Sequence, residues 1–461
     1  MESSEYASGE IEIGGFLIRP GENSIYFNEQ ATRIEPKVMH VLTTLAAASG
    51  EVVSRHALLE NIWHEGIYSD EVVTRAISHL RKAFRQYDSQ TEYVTTVSKR
   101  GYKIAKPTRW TSRGNGASDA FTDNNKANQL YLQGRSLNAR INGDTIIPVA
   151  RDLLEQAVSL DPEFAEAHAE LAHSYTLMGT YIRRAASEEL LEKATYHASQ
   201  AIALKANLAF PKVLLAIAEF TKGNMVAAIE LNEEAIQLEP DNAEVVMRLG
   251  YFYTAIGRIR HAIPILEKAV SLDPAQGRNL QVLALAKLNN GDLEEADELA
   301  QRAIDLHHYF AYDTYASVAV AMGKYELAQE RFIEGRKWML TMFDERFNEQ
   351  AWELAAKMGL NPKREDRLEF AKWLNAALGN KSKIPEVPLL QGLLRCGAAE
   401  LYFKTMGNCL PIGRHGSYLS MWADTEPCRD IYTHPKFIPF AQKVGMYDAW
   451  ERFGWPDRLS Q

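Results

Sequence analysis

Residues 70–104 read DEVVTRAISHLRKAFRQYDSQTEYVTTVSKRGYKI, and this stretch decides the fold of the amino-terminal part of the chain. Val73, Ala76, Ile77, Leu80 and Phe84 fall at steps of 3, 1, 3 and 4, which is one face of an α-helix. Glu71, Thr74, Arg75, Ser78, His79, Lys82 and Arg85 take the opposite face. Ser69 or Asp70 is placed to cap that helix. Tyr93–Val97 and Lys103–Ile104 are short β-runs flanking Ser98-Lys99-Arg100-Gly101, so a hairpin with a basic tip follows.

Upstream, Ile11–Ile18 and Ser24–Arg33 are β-rich runs broken by Gly14-Gly15 and Pro20-Gly21, a small antiparallel sheet. Pro36 sits at a first helical turn, and Val38, Val41, Leu42 and Leu45 share one face after it. Gly50 ends this helix, and Ser54 caps a second carrying Leu58, Leu59, Ile62 and Trp63. A sheet, three helices and a terminal basic hairpin make an α/β winged helix-turn-helix. An α-helix fits the major groove of B-DNA, so a helix apolar on one face and basic on the other docks by the first and reads by the second. Arg75, Ser78 and His79 are assigned to base edges, with Thr74 and Lys82 at the rim. Lys99 and Arg100 on the wing are placed to reach a phosphate or a neighbouring minor groove. Glu71 on the same face is not expected to contact DNA, because a carboxylate near phosphate is repulsive.

Charge supports the same division. Residues 1–74 carry net −8, residues 75–107 net +6 and residues 108–461 net −7, within a chain of 461 residues and net −9. A basic stretch inside an acidic protein points to double-stranded DNA or to a solvated charged helix. Hydrophobic content of 46% and charged content of 24% exclude collagen and wholesale disorder. Three cysteines, Cys396, Cys409 and Cys428, exclude a disulfide scaffold and fit a reducing cytosol. The start MESSEYASGE has no basic or apolar signal region, and Val41–Ala48, the longest apolar run, is too short to span a bilayer. A cytoplasmic protein with no membrane partner is therefore expected.

Residues 108–125, TRWTSRGNGASDAFTDNN, read as a polar linker. Beyond it the chain repeats itself. Leu204, Leu238, Leu272 and Leu306 stand 34 residues apart, as do Ala201, Ala235, Ala269 and Ala303, and Gly223, Gly257 and Gly291. Ala157, Leu160 and Gly179 precede their counterparts by 44, which places a ten-residue insertion near Tyr181–Glu189. Small residues at crossing points let paired helices approach, and prolines such as Pro162, Pro240 and Pro274 stop the second helix of a unit. About six units fill residues 126–341 as an all-α superhelix. Its groove is expected to take a protein or peptide partner or a regulatory ligand, or the array to self-associate. Tyr251-Phe252-Tyr253 and His307-His308-Tyr309-Phe310-Tyr312 either line that groove or pack between repeats. Residues 342–461 break the period, and their dense aromatics suggest a packed cap or a dimer surface. The cysteines with His415 and His434 lack any paired zinc-ligand spacing, so buried thiols are the reading, and no metal or cofactor is expected. No P-loop, GxGxxG, GxSxG or HExxH occurs, so no enzyme is expected.

The residues also carry a resemblance. Glu35-Pro36-Lys37, Ser54-Arg55-His56-Ala57-Leu58-Leu59 with Trp63, Val72 to Lys82, and Tyr93 to Tyr102 (YVTTVSKRGY) together resemble the OmpR/PhoB-type winged helix, in its ToxR/CadC-like branch. The 34-residue unit resembles the tetratricopeptide repeat. The first resemblance implies that Trp63, Arg81 and Thr96 contact backbone phosphate and that Gly101 and Tyr102 are structural in the wing. Two departures stand out. Only about ten residues precede the winged helix, so phospho-relay control through a receiver domain is not expected, and the linker leads straight to helices where the branch usually has a membrane span. The layout resembles HilA-like cytoplasmic regulators, with a winged helix (1–107), a linker (108–125), a repeat array (126–341) and a helical extension (342–461). The expected function is sequence-specific transcriptional regulation. The competing class is a repeat scaffold whose winged domain contacts RNA polymerase or another protein.

Overall fold

A computed structural model describes residues 9–28, 30–48, 50–62, 70–98, 100–112, 121–138, 143–181, 188–306, 308–339, 349–378, 387–408 and 415–459. The chain divides into two units, Met1–Arg183 and Arg184–Gln461.

Strands β1 (Gly9–Ile13), β2 (Phe16–Arg19), β3 (Ser24–Phe27) and β4 (Gln30–Arg33) open the first unit. Helices α1 (Pro36–Ala47), α2 (Arg55–Ile62) and α3 (Asp70–Arg85) follow, then β5 (Val94–Val97), β6 (Gly101–Ile104) and β7 (Thr108–Ser112). The unit closes with α4 (Asn125–Asn138), α5 (Gly143–Leu160) and α6 (Ala165–Tyr181). Gly14 and Gly15 have φ of +53° and +89°, the two left-handed residues that a tight β-hairpin needs, and they join β1 to β2. Alternation along the strands buries Ile11, Ile13, Phe16, Ile18 and Ile25 against the helices. Phe16 meets Phe84 of α3 edge-on at 4.9 Å and Tyr93 at 5.0 Å, while Phe84 stacks on Tyr93 at 4.8 Å. Pro36 occupies the first turn of α1. Ser54 Oγ accepts the Ala57 N–H at 3.0 Å and so caps α2.

One expectation is corrected. Thr108–Ser112, read as the start of the linker, is a strand that pairs antiparallel with β1, Ile11 opposite Trp110 and Ile13 opposite Thr108. The sheet order is therefore β4-β3-β2-β1-β7. The strand's partner lies about a hundred residues upstream, so its neighbours in sequence carry no sign of the pairing. The far end of the expected linker is tied down as well. Asn124 Oδ1 accepts the N–H groups of Lys126 and Ala127, and Asn124 Nδ2 donates to Leu160 O at 3.1 Å.

The second unit runs through α7 (Glu188–Leu204), α8 (Ala209–Lys222), α9 (Met225–Leu238), α10 (Ala243–Ala255), α11 (Ile259–Leu272), α12 (Gly277–Asn290), α13 (Leu293–Asp305), α14 (Ala311–Ala321) and α15 (Tyr325–Met339). Then come α16 (Glu349–Leu354), α17 (Arg364–Leu378), α18 (Val387–Arg395), α19 (Ala399–Asn408), a 3-10 turn His415–Ser420, α20 (Glu426–Tyr432), α21 (Phe437–Lys443) and α22 (Met446–Phe453). The 34-residue period is visible in the backbone. Gly223, Gly257 and Gly291 have φ of +99°, +83° and +101°, each closing the first helix of a pair. Ala201, Ala235, Ala269 and Ala303 are 0% exposed at the helix crossings, whereas Leu204, Leu238 and Leu306 are 40–41% exposed. The alanines are therefore the buried mark of the period, because only a small side chain fits where two helices cross. At Gly250 a Cβ would stand 2.5 Å from Leu266 of the paired helix.

The first aromatic cluster packs between repeats. Phe252 stacks on Phe220 at 4.8 Å, and Tyr253 is buried with its hydroxyl on Glu233. In the second cluster His307 lies outside the described residues. His308 Nε2 bonds Gln281 Oε1 at 2.7 Å, and burial, with the charge of Arg278, pushes the imidazole from 6.5 down to about 4. A folded-state value below the unfolded one means that the unfolded chain takes up the proton first as pH falls. The stability from neutral His308 is then present above about pH 6.5 and lost progressively down to about pH 4. Urea unfolding at pH 7.5 and pH 4.5 should show a fall of about 2–3 kcal/mol attributable to this site. The variant His308→Gln should lack that component, and an unchanged pH dependence in it would contradict the assignment.

Candidate nucleic-acid interface

Helix α3 separates its two faces as the sequence pattern requires. Val73, Ala76, Ile77, Leu80, Ala83 and Phe84 are buried against the sheet and α1. Thr74, Arg75, Ser78, Lys82 and Arg85 are exposed on the other side, with His79 and Arg81 half-buried at its margins. Arg75, Ser78, His79 and Lys82 thus share one accessible surface, at the i, i+3 and i+4 steps that bring helix side chains together. Glu71 is exposed as well. Glu35, just before α1, places Oε1 3.9 Å from His79 Nδ1, a neighbour that sequence spacing does not reveal.

The wing is held beside this surface by three contacts. Arg81 reaches from α3 to β5, where Nε donates to Val94 O at 2.9 Å and Nη2 donates to Thr96 Oγ1 at 2.8 Å. Glu92 Oε1 is 3.5 Å from the same guanidinium. Arg81 and Thr96, separated by fifteen positions, therefore meet directly, and Thr96 stays exposed. At the other strand Tyr102 and Val53 exchange two backbone hydrogen bonds of 2.9 Å. Gly101 has φ of +142°, and a Cβ there would lie 2.0 Å from Val53 O. Only glycine permits that approach. Arg55, at the start of α2, stacks over the Tyr102 ring at 5.0 Å and donates from Nε to Tyr102 Oη at 3.2 Å. Sequence spacing gives no sign of this contact, because the two partners are 47 positions apart. Arg100 is exposed beyond this anchored region. Trp63 and Lys99 lie outside the described residues.

This arrangement, a sheet-backed three-helix core with an anchored wing, is an OmpR/PhoB-type winged-helix domain joined to tetratricopeptide repeats. Residues 29–104 match the family described as transcriptional regulatory protein, C terminal, and residues 243–276 match the tetratricopeptide repeat. The chain is 38% identical over 107 residues to the transcriptional activator CadC of Escherichia coli strain K12, covering 23% of this chain and 21% of that one. It is 33% identical over 86 residues to the transcriptional regulator HilA of Salmonella typhimurium, covering 19% and 15%. The solved DNA-binding domain of E. coli CadC is 37% identical, spans 23% of this chain and 98% of that one, and has a TM-score of 0.22. The matches thus span about a fifth or less of the length of these two curated relatives.

Among the described residues no helix is long and apolar enough to cross a membrane, and no group of three or more His, Cys, Asp and Glu is placed to hold a metal ion. Burial pushes the thiols of Cys396 and Cys428 up to about 12 and about 11, away from the thiolate form. Cys409 is outside the described residues.

Proposed function

We propose that the protein is a cytoplasmic transcriptional regulator that binds promoter DNA sequence-specifically through α3 and the wing. The observation that supports this reading most is the accessible surface of Arg75, Ser78, His79 and Lys82 on a helix whose other face is fully committed to the core. In this reading Arg75, Ser78 and His79 contact base edges, and Thr74 and Lys82 lie at the rim. Trp63, Arg81 and Thr96 hold phosphates. Lys99 and Arg100 reach a phosphate or the adjacent minor groove. Arg81 has a double duty here, since the hydrogen bonds that place Thr96 also orient its remaining N–H donors. One winged helix covers one half-site, so the protein binds as a dimer or in tandem on repeated half-sites. The repeats contact a regulatory protein partner or a second copy of the chain.

Phosphate and base contacts respond differently to salt and to sequence, which gives the test. Arg100→Ala should weaken binding to all duplexes alike and lower the slope of log K against log salt by about one. His79→Ala should change the preference among sequences, by about 1–3 kcal/mol at one base position, with little change in slope. Equal effects of both variants on every duplex would contradict this division of roles.

A further inference from the structure

In a repeat array the surface formed by the first helices of successive pairs is where a partner is ordinarily sought. In the second unit the chain's own carboxyl-terminal segment lies over part of it. The 3-10 turn His415–Ser420 packs on the first helices α10 and α12, while α22 packs on α9, the second helix of its pair. The segment's hydrogen bonds answer groups that the repeats leave open. The carbonyls of Ala255 and Ile256, at the end of α10, have no following turn to accept from, and they take the indole N–H groups of Trp422 at 3.0 Å and Trp450 at 2.8 Å. Helix α11 follows Arg258, which makes no side-chain cap, and Asp457 supplies one: its Oδ2 accepts the Arg260 N–H at 2.8 Å. The Asp457 N–H donates to Gly257 O at 3.0 Å. One repeat further on, Asn289 Nδ2 donates to Leu419 O and Arg458 Nη2 donates to Asn289 O, each at 2.8 Å.

Shape follows the same correspondence. Two of the glycines that mark the 34-residue period, Gly223 and Gly257, are also where the segment touches down. A Cβ on Gly257 would collide with Pro456 and Trp422, and one on Gly445 would lie 1.7 Å from Gly223 O. Met421, Trp422, Phe437, Met446, Ala449 and Trp450 are all 0% exposed, so this contact is core and not a surface strap. A peptide competing for this place would also face a tethered occupant at an effective concentration of about millimolar.

We infer that residues 415–459 are a permanent, built-in occupant of the array: they open only together with α10 and α11, and the surface across the ends of α8, α10 and α12 receives no partner. The partner contact proposed above then falls on other parts of the array, and this inference holds whether or not the DNA reading does. Hydrogen exchange on the intact full-length protein tests it. Amides in 415–459 and in 243–260 should show protection within about tenfold of each other and lose it together as urea rises. Asp457→Ala should lower protection in both segments by a common factor of about five, the value of a lost helix cap. Two results would overturn the inference. One is exchange of 415–459 about a hundredfold faster than 243–260 in the unaltered chain, the behaviour of a displaceable lid. The other is an Asp457→Ala effect confined to 415–459.

Discussion

Replacing Gly101 with valine should abolish duplex binding by the full-length protein and destabilise its DNA-binding domain by about 3–5 kcal/mol. The added Cβ would stand 2.0 Å from Val53 O, 2.7 Å from Val53 C and 2.8 Å from Ser54 Cα, all backbone atoms that cannot rotate away. Relief requires separating β6 from the 53–54 backbone, which breaks the reciprocal Val53–Tyr102 pair. Two lost hydrogen bonds cost about 1 kcal/mol each, and a β-branched residue held at φ of +142° adds about 1–3 kcal/mol. A domain stable by about 5–15 kcal/mol loses a large share of its margin this way. Gly50→Ala is the control: its φ is +91°, yet nothing lies within 4 Å of its Cβ, so only the backbone strain of about 1 kcal/mol applies. Urea unfolding and fluorescence anisotropy with a labelled duplex check both. A Gly101→Val protein that binds within twofold of the unaltered chain would refute the wing's anchoring role.

The second large effect is in the repeats. Trp450→Ala should cost the second unit about 3–5 kcal/mol, the usual range for deleting a fully buried aromatic side chain. Trp450 is 0% exposed, stacks on Phe437 at 6.0 Å ring separation and meets Trp455 at 5.5 Å. Its indole also bonds Ile256 O, which truncation leaves buried and unsatisfied. Trp450→Phe keeps most of the apolar contact and loses the bond, so about 1–2 kcal/mol is expected. Thermal or urea unfolding separates the two variants. Equal, small losses in both would mean that the carboxyl-terminal segment is peripheral to the array.

How far the sequence carried differs between elements for physical reasons. Helix α3 was legible in full because its signal is local: the 3.6-residue period of Val73, Ile77, Leu80 and Phe84 has no competing reading. Ser54 as a cap and Gly14-Gly15 as a turn were legible for the same reason. Gly223, Gly257 and Gly291 announced the repeats because recurrence at a fixed step is independent of any one weak signal. Strand β7 was missed because five residues beside a Gly- and Ser-rich run share its composition, and only the distant β1 makes them a strand. The Arg81–Thr96 contact entered only as two separate phosphate ligands, while the helix-to-wing hydrogen bond between them is a tertiary fact. The carboxyl-terminal aromatics suggested packing, but Trp422 and Trp450 bond carbonyls 167 and 194 positions away. No periodicity encodes a partner at that distance.

Selection of bound duplexes from a random pool tests most directly whether α3 reads DNA sequence. Full-length protein should enrich a direct or inverted repeat of one half-site. An Arg75→Ala/His79→Ala double variant, altered only at surface positions of α3, should fold normally and lose that enrichment. Failure of the unaltered protein to enrich any sequence would contradict the account, as would an unchanged motif in the double variant.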